Sequence, residues 1–338
     1  MFNKNGSIFF QEGQTATNTP KVNTNKPLST TILSSLNWRI GLTLNYGVRL
    51  TFGREGNETE LKYTCSVRRL NNGSEGNFVF ALDRTSDVYI NEIVPDLIAD
   101  KLAFEAGKVF YPLHLSVAPS GELHGVANAE TIRQRWPDVK EGLRNYFYGE
   151  FFEEYLQKMD NLLLEEHNIF SALSRTDWLL NVFFQPFYQQ SANGSKDRLQ
   201  FFPNLPTRAM GYQVVEKIMP ELNHFGAIEL MQHGLLELND DFGVDGTGSS
   251  EALYIFHPQT CALLGVDGNW DASVEGARGT VGMKIFYLAQ DGEDFVHDYT
   301  VTKDRHDNID TTSSKNQDTA NLSDANEQKD VWAKLFNL

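Results

Sequence analysis

Two histidines and a glutamate lie close together in the stretch "YPLHLSVAPSGELHGVANAE". His114 and His124 each alternate with apolar residues, and residues 119–121 between them have the composition of a tight turn, so the pattern predicts a β-hairpin. Both imidazoles would then point to the solvent side of neighbouring strands, where Glu122 would be the third ligand of a zinc ion. The same residues also fit the polar face of an ordinary amphipathic hairpin. We favour this second interpretation and predict no metal ion here.

Oxygen-bearing side chains recur at alternate positions in "DGNWDASVE", residues 267–275, as they do in calcium-binding loops. The sixth position is Ala272 instead of glycine, and Arg278 occupies the twelfth position, which is a glutamate in such loops. Turn chemistry therefore explains these residues better than calcium binding. Motifs for nucleophilic catalysis, phosphate binding and zinc proteases do not occur in the sequence. We predict that the protein is not an enzyme and has no cofactor.

The length and composition predict a folded protein with a large core. The chain has 338 residues, of which 41% are hydrophobic and 12% aromatic. Its formal charge of −16 argues against binding to nucleic acid or to anionic lipid, because the phosphates would repel it. No segment approaches the roughly 20 apolar residues of a membrane span, and the N-terminus lacks the apolar part of a secretory signal, so we predict a cytoplasmic protein. Cys65 and Cys261 permit at most one disulfide, and buried free thiols are the simpler expectation.

Hydrophobic periodicity divides the chain into strands, helices and strands again. In "WRIGLTLNYGVRLTF", apolar residues alternate with others along the whole stretch, which is typical of a half-buried strand. Apolar spacings of three and four residues after Asn128, a predicted N-cap, indicate helices with a break at Gly149. The stretch "SANGSKDR" is predicted to be a loop, and residues 206–222 to contain a short helix. The other predicted elements are strands within 38–90, a helix at 95–106, the hairpin at 110–127, helices within 129–190 and strands within 227–290.

This order of elements predicts an α+β fold rather than alternating βαβ units. We expect a single body over residues 37–290, in which a curved antiparallel β-sheet, half-barrel-like, packs around a central block of helices. Both ends of the chain are polar and poor in apolar residues, so they predict disordered tails. Residues 1–36 would be a mobile N-terminal arm, and residues 291–330 an acidic linker to a short amphipathic segment at 331–338.

The run "YPLHLSVAPSGELHGVANAETIRQRWPDVKEGLRNYFYGE", followed by "LSRTDWLLNVFFQPFY", resembles a pattern of uncharacterised bacterial proteins, several of them from the Bacteroidetes group. The resemblance covers about 80 residues and is carried by structural residues, namely Pro112, Gly121, Asn128, Trp136, Gly149 and Pro186. It implies no activity. The expected curved sheet with helices in its concavity is similar in architecture to half-barrel lipoprotein carriers, and a similarity of fold does not by itself determine function.

Apolar residues also occur within the two polar tails. In "VWAKLFNL", four of them would share one face of a helical turn, namely Val331, Trp332, Leu335 and Phe336. The N-terminal arm contains the run Ile8, Phe9 and Phe10. Our leading hypothesis is a non-enzymatic binding or assembly protein that docks these segments on protein partners. The alternative is a carrier of an apolar small ligand in the concave face, and the third hypothesis is a metal-dependent hydrolase at the 114–124 hairpin. Docking within the chain or on another chain, and the oligomeric state, are left open.

Overall fold

A computed structural model describes residues 33, 35–54, 57–188, 195–205, 208–223, 225–237, 246–274 and 277–288. These residues form twelve β-strands and five α-helices, which confirms the α+β class, although the sheet is the larger part. The strands are β1 (Thr43–Arg54), β2 (Asn57–Asn72), β3 (Phe78–Arg84), β4 (Tyr89–Ile90), β5 (Leu113–Val117), β6 (Leu123–Val126), β7 (Ser195–Leu205), β8 (Arg208–Ile218), β9 (Ile228–Leu236), β10 (Gly246–Phe256), β11 (Leu263–Val274) and β12 (Ala277–Leu288). The helices are α1 (Ile98–Gly107), α2 (Ala129–Arg144), α3 (Glu150–Leu163), α4 (Glu166–Thr176) and α5 (Trp178–Phe183).

The strands form one antiparallel sheet. Its order is β6-β5-β3-β2-β1-β12-β11-β10-β9-β8-β7, and β4 pairs with β2 beside this path. Strand β1 pairs with β12, with Val48 opposite Ile285, so the strands before and after the helices are joined. The predicted antiparallel sheet is therefore confirmed. It contains the long apolar faces from both ends of the helical block.

The last six strands, β7 to β12, curve until β7 and β8 lie across from β11. We call these six strands the curl. Phe202 on β7 packs against Trp270 on β11 with ring centroids 5.1 Å apart. On β8, the Tyr212 hydroxyl donates a hydrogen bond of 2.7 Å to the carbonyl oxygen of Asp271 on β11. In the described sheet, the hydrogen-bonded neighbours of β11 are β12 and β10. The contacts of β7 and β8 with β11 therefore cross the inside of the curl.

Helix α5 packs against the sheet. Its residues Trp178, Leu179, Leu180, Val182 and Phe183 are all buried, as expected of a helix that is apolar on every side. The helix begins where the Asp177 side chain accepts a hydrogen bond from the Leu180 amide at 2.9 Å. Ring contacts then reach both parts of the sheet, from Trp178 to Trp270 at 5.2 Å and from Phe183 to Tyr46 at 5.1 Å.

The predicted start of the first helix and the predicted N-cap of the second are wrong. Helix α1 begins at Ile98 instead of residue 95, because the chain is still extended at Leu97. Asn128 precedes α2, but its side chain does not cap the helix. Its Oδ1 instead accepts a hydrogen bond from the His114 amide and its Nδ2 donates to the Pro112 carbonyl oxygen, both at 2.8 Å. These hydrogen bonds connect the β5–β6 hairpin with the start of α2. The predicted break at Gly149 is confirmed by its φ of 108°.

Two further predictions in the second half of the chain are wrong. Part of the loop predicted at "SANGSKDR", and the helix predicted within 206–222, are the strands β7 and β8. The turn predicted at residues 267–275 is largely strand β11, which extends to Val274. Within that strand, Asp267 accepts a hydrogen bond of 2.8 Å from Lys284 on β12, so its carboxylate is part of a cross-strand ion pair.

The termini contain most of the residues that lie outside the described part of the chain. The acidic linker and the segment at 331–338 fall there, as does the N-terminal arm except for its end. At that end, Leu33 and Leu36 are buried in the core, so the body begins before residue 37. Within the described residues, no helix combines the length and the hydrophobicity that a membrane span needs.

Neither cysteine forms a disulfide, and both are buried. Burial raises the pKa of the Cys65 thiol to about 12 and that of Cys261 to about 11, because a thiolate is poorly solvated there. We expect neither thiol to react with a disulfide reagent such as DTNB at pH 8 in the folded protein, and both to react after unfolding in urea. Rapid modification of either cysteine in the folded protein would contradict this assignment.

Candidate functional site

The two histidines of the hairpin do not face each other across its strands. His114 lies on β5, where its carbonyl oxygen accepts a hydrogen bond from the Ala127 amide. His124 lies at a bulge in β6, between the pairs Ser116–Gly125 and Val117–Leu123. The bulge lets Leu123 and Val126 both point to the core although they are three residues apart. Within the described part of the chain, no three histidine, cysteine or carboxylate side chains are grouped to hold a metal ion, and Glu122 is exposed.

The two imidazoles have different surroundings. His114 is half-buried, and this burial lowers its pKa, with a further lowering by the positive charges of Arg135 and Arg68. The ring is therefore neutral at pH 7. His124 is exposed. Among the described residues, no carboxylate is hydrogen-bonded to either imidazole, as the orienting group of a catalytic histidine normally is.

We expect the double change His114→Gln and His124→Gln to alter the free energy of unfolding by no more than about 0.5 kcal/mol per site, as is usual for side chains in such positions. Urea denaturation of the variant and the wild type measures this difference. A loss of bound zinc, found by comparing the metal content of the two purified proteins, would support the metal-site hypothesis instead.

The β7–β8 hairpin has a partly inverted pattern of polar and apolar residues, because polar side chains lie on its inner side beside the buried apolar residues of both strands. Its polar side chains Arg198, Gln200 and Glu216 point into the curl, and all three are at least partly buried there. Its apolar side chains Leu199, Phe201 and Val215 point to the outside. A half-buried strand normally shows the opposite arrangement. The hairpin therefore has buried polar residues on its inner side and exposed apolar residues on its outer side.

The inner surface is a connected hydrogen-bond network around a buried ion pair. The Arg198 guanidinium donates through Nε to Glu216 Oε1 at 3.0 Å, and its Nη2 contacts the same oxygen. Arg198 Nη2 also donates to Gln185 Oε1 at 2.8 Å. Gln232 on β9 donates through Nε2 to the same Gln185 oxygen at 3.0 Å and to Glu216 Oε1 at 3.1 Å. The network thus joins β7, β8 and β9 to the segment after α5.

Gln185 connects this network to the rest of the core. Its Nε2 donates to the Tyr254 hydroxyl on β10 at 2.8 Å and to the Asn181 carbonyl oxygen in α5 at 3.1 Å. The residue is buried, and it immediately precedes Pro186. Buried charges are tolerated when they are paired and hydrogen-bonded in this way. The described network contains guanidinium, carboxylate, amide and phenol groups but no nucleophile paired with a base, so its chemistry is hydrogen bonding and ion pairing.

The outer surface has exposed apolar residues on three strands, with Gln213 between two of them. We call it the apolar sheet face, and it consists of Leu199 and Phe201 on β7, Val215 on β8 and Leu235 on β9. Their exposed fractions are 47%, 54%, 42% and 70%. Leu199 and Leu235 are both paired with Gln213, one on each side of β8. Phe201 is paired with Gly211, where an added Cβ would lie 3.1 Å from the phenyl ring and 3.2 Å from Leu199. The two side chains therefore lie over the glycine and form a continuous surface.

A second exposed apolar segment follows β4. Asn91 and Glu92 both have positive φ values, 49° and 68°, and form a two-residue turn closed by hydrogen bonds between Ile90 and Ile93. Beyond the turn, Ile93 is 61% exposed and Ile98 at the start of α1 is 74% exposed. This segment differs from the apolar sheet face because its residues follow one another along the chain instead of lying side by side on three strands.

No protein-family model matches the chain, and no curated protein matches it. The site is therefore interpreted from its own geometry. The predictions for this hairpin, a loop at "SANGSKDR" and a short helix within 206–222, did not point to a site. The sequence pattern that could have indicated strand β7 is the alternation in "DRLQFFPNL", where Leu199 and Phe201 occupy alternate positions. In the structure, however, the polar residues at the positions between them are the ones that lie inside.

Proposed function

We propose that this protein is a non-enzymatic binding or assembly protein that docks a protein partner on the apolar sheet face. The observation that supports this proposal is the exposure of apolar residues on the outer side of the β7–β8 hairpin. Leaving Leu199, Phe201 and Val215 in water gives up the burial of these side chains, which contributes about 1.5 to 3 kcal/mol each. The chain instead buries an ion pair and leaves these residues in water. Exposed apolar residues that lie side by side, as Leu199 and Phe201 do over Gly211, are typical of interaction sites.

The geometry of the patch fits a protein partner. It lies on the face of the strands β7 to β9, so docking here would use side chains. Its aromatic residue, Phe201, is the type of residue that dominates binding energy at interfaces. The net charge of −16 disfavours nucleic acid and anionic lipid as the partner. We extend the proposal to a cytoplasmic location, on the basis of the sequence alone.

The terminal segments are a second part of this proposal. Val331, Trp332, Leu335 and Phe336, and at the other end Ile8, Phe9 and Phe10, lie outside the described residues, so their docking stays a prediction. A chain of 42 residues separates β12 from residue 331. As a flexible coil it would span about 35 Å, which lets the C-terminal segment reach a partner held on the body.

The carrier hypothesis is the second candidate, and the contacts of α5 are what favour it. Helix α5 packs on both parts of the sheet, which supports the finer prediction of a half-barrel around helices. In the described residues, however, the rings that line this region are buried against one another, as in the contact of Trp178 with Phe202 at 5.8 Å. An apolar ligand would have to displace these contacts. Native mass spectrometry of the purified protein for a co-purifying lipid tests this candidate.

We expect the double change Leu199→Thr and Phe201→Thr to weaken partner binding at least about 30-fold, which is the effect of removing a hot spot of about 2 kcal/mol. Threonine retains the strand propensity, so stability should change by only about 1 kcal/mol. Immobilised wild type and variant are compared for quantitative capture of proteins from the source cells, and light scattering tells whether the partner is a second copy.

The matched control is Ile93→Thr with Ile98→Thr, which removes two apolar side chains of similar or greater exposure elsewhere on the surface. This variant should capture the same proteins as the wild type. If the control loses the partner and the β7 variant retains it, the docking surface is the segment after β4 and the present assignment is wrong.

A further inference from the structure

Five side-chain atoms inside the curl have no hydrogen-bond partner among the described residues. They are Asn204 Nδ2 and Oδ1, Gln232 Oε1, Ser250 Oγ and Trp270 Nε1. The four side chains are at most 5% exposed, so bulk water does not reach them. A buried polar atom without a partner costs free energy, and such atoms usually mark a bound water molecule or ligand.

The strand register places three of these groups next to one another. Ser250 on β10 is paired with Gly234 on one side and with Trp270 on the other. Gly234 leaves room for the hydroxyl, since an added Cβ there would lie 2.4 Å from Ser250 Oγ. Gln232 is two residues from Gly234 on β9, and therefore points to the same side of the sheet as a diagonal neighbour of Ser250.

Asn204 approaches from the opposite side of the curl. It lies two residues after Phe202 on β7, and Phe202 packs on Trp270 across the interior. Both polar atoms of its amide are without a partner, so it offers one acceptor and two donor hydrogens. The groups on β9, β10 and β11 are thus neighbours in the register, and the Phe202–Trp270 contact connects Asn204 on β7 with them.

The chemistry of these groups selects the class of guest. Trp270 Nε1 only donates and Gln232 Oε1 only accepts, whereas Ser250 and Asn204 do both. A cation would leave the tryptophan donor without a partner, and an anion would do the same to the glutamine acceptor. A neutral molecule that both donates and accepts satisfies all of them. Water is the smallest such molecule. The large side chains Trp270, Phe202 and Tyr212 occupy much of this region, so a small guest is the one that fits.

We propose that ordered water molecules bind between Asn204, Gln232, Ser250 and Trp270 and extend the Arg198–Glu216 network along the inside of the curl. Gln232 belongs to both, because its Nε2 donates to Glu216 while its Oε1 faces the water. The polar core of the curl is then a single hydrogen-bonded system in which protein groups and water alternate. This site is independent of the apolar sheet face.

The test uses Ser250→Ala and Asn204→Leu. If water binds these groups, each variant loses hydrogen bonds, and its melting temperature should fall by about 2 to 4 °C per hydrogen bond. If the atoms truly lack a partner, both changes remove a desolvation cost and raise the melting temperature, which would overturn the proposal. Ser249→Ala is the matched control, because its exposed hydroxyl bonds Asp271 at 2.7 Å on the other side of the same strand. Its melting temperature should stay within about 1 °C of the wild type.

A crystal structure of the wild type gives a readout that does not depend on how the variants fold. It should show water oxygens about 2.7 to 3.2 Å from Ser250 Oγ and Trp270 Nε1. Side chains from residues 206–207, 238–245 or 275–276 at those positions would overturn the proposal.

Discussion

Glu216→Ala is expected to lower the free energy of unfolding by about 3 to 5 kcal/mol, because it leaves the Arg198 guanidinium buried without its carboxylate. Glu216 Oε1 accepts hydrogen bonds from both Arg198 and Gln232, so the change also leaves an amide with fewer partners. Urea denaturation monitored by tryptophan fluorescence measures the loss. The matched control is Glu251→Ala on β10, whose carboxylate lies on the exposed side of the sheet and should cost no more than about 0.5 kcal/mol.

The double variant Arg198→Met with Glu216→Leu distinguishes a buried charge from a general packing defect. It removes both charges, so we expect it to be more stable than Glu216→Ala, although Gln185 and Gln232 then lose partners. If the double variant had a lower free energy of unfolding than Glu216→Ala, the loss of stability would come from packing. The electrostatic account of the inverted hairpin would then be contradicted.

Trp136→Ala is expected to cost about 3 to 5 kcal/mol, the usual range for removing a large aromatic side chain from a core. Trp136 is buried in α2, and its Nε1 donates a hydrogen bond of 2.7 Å to Asp160 Oδ1 on α3. The residue therefore joins two helices by packing and by a hydrogen bond. Calorimetric melting of the variant and the wild type measures the effect.

Two controls separate these contributions. Trp136→Phe keeps most of the packing and loses the hydrogen bond, so it should cost less than the alanine change. Tyr148→Ala removes an aromatic side chain that is 94% exposed, and it should cost no more than about 0.5 kcal/mol. Equal losses for Trp136→Ala and Tyr148→Ala would show that the tryptophan is not part of the core.

The sequence predicted strands well where polar and apolar residues follow the usual rule. In β1, Leu44, Tyr46, Val48 and Leu50 are buried as their alternation predicts. The same pattern failed at Ile40, which is 60% exposed, because the chain turns at Gly41 with a φ of 84° before the strand begins. An alternation of apolar and polar residues does not reveal a turn that directly precedes the strand.

The β7–β8 hairpin was predicted wrongly, as part of a loop and a short helix, and the burial of its polar residues was not predicted. Arg198, Gln200 and Glu216 are residues that a sequence reading places in solvent, and their burial depends on partners from distant parts of the chain, above all Gln185 and Gln232. No local rule connects residue 185 to residue 232. Places where local rules and structure disagree are often functional, which is the reason for assigning the binding site here.

The side chain of Asn128 shows a smaller failure of the same kind. An asparagine before a helix normally caps it, and the sequence alone favoured that role. The hairpin beside it offers the His114 amide and the Pro112 carbonyl oxygen as competing partners, and these bonds replace the cap. The position of the helix was predicted correctly even though the role of the side chain was not.

Site-specific cross-linking is the most direct test of docking on the apolar sheet face. A photoreactive phenylalanine analogue replaces Phe201 in one variant and Tyr148, an aromatic residue outside the proposed surface, in the other. After irradiation with the source-cell extract, the account predicts one protein covalently joined at position 201, not at position 148, and loss of this product when excess unlabelled wild type competes. No specific product at position 201, or the same product at both positions, would contradict the account.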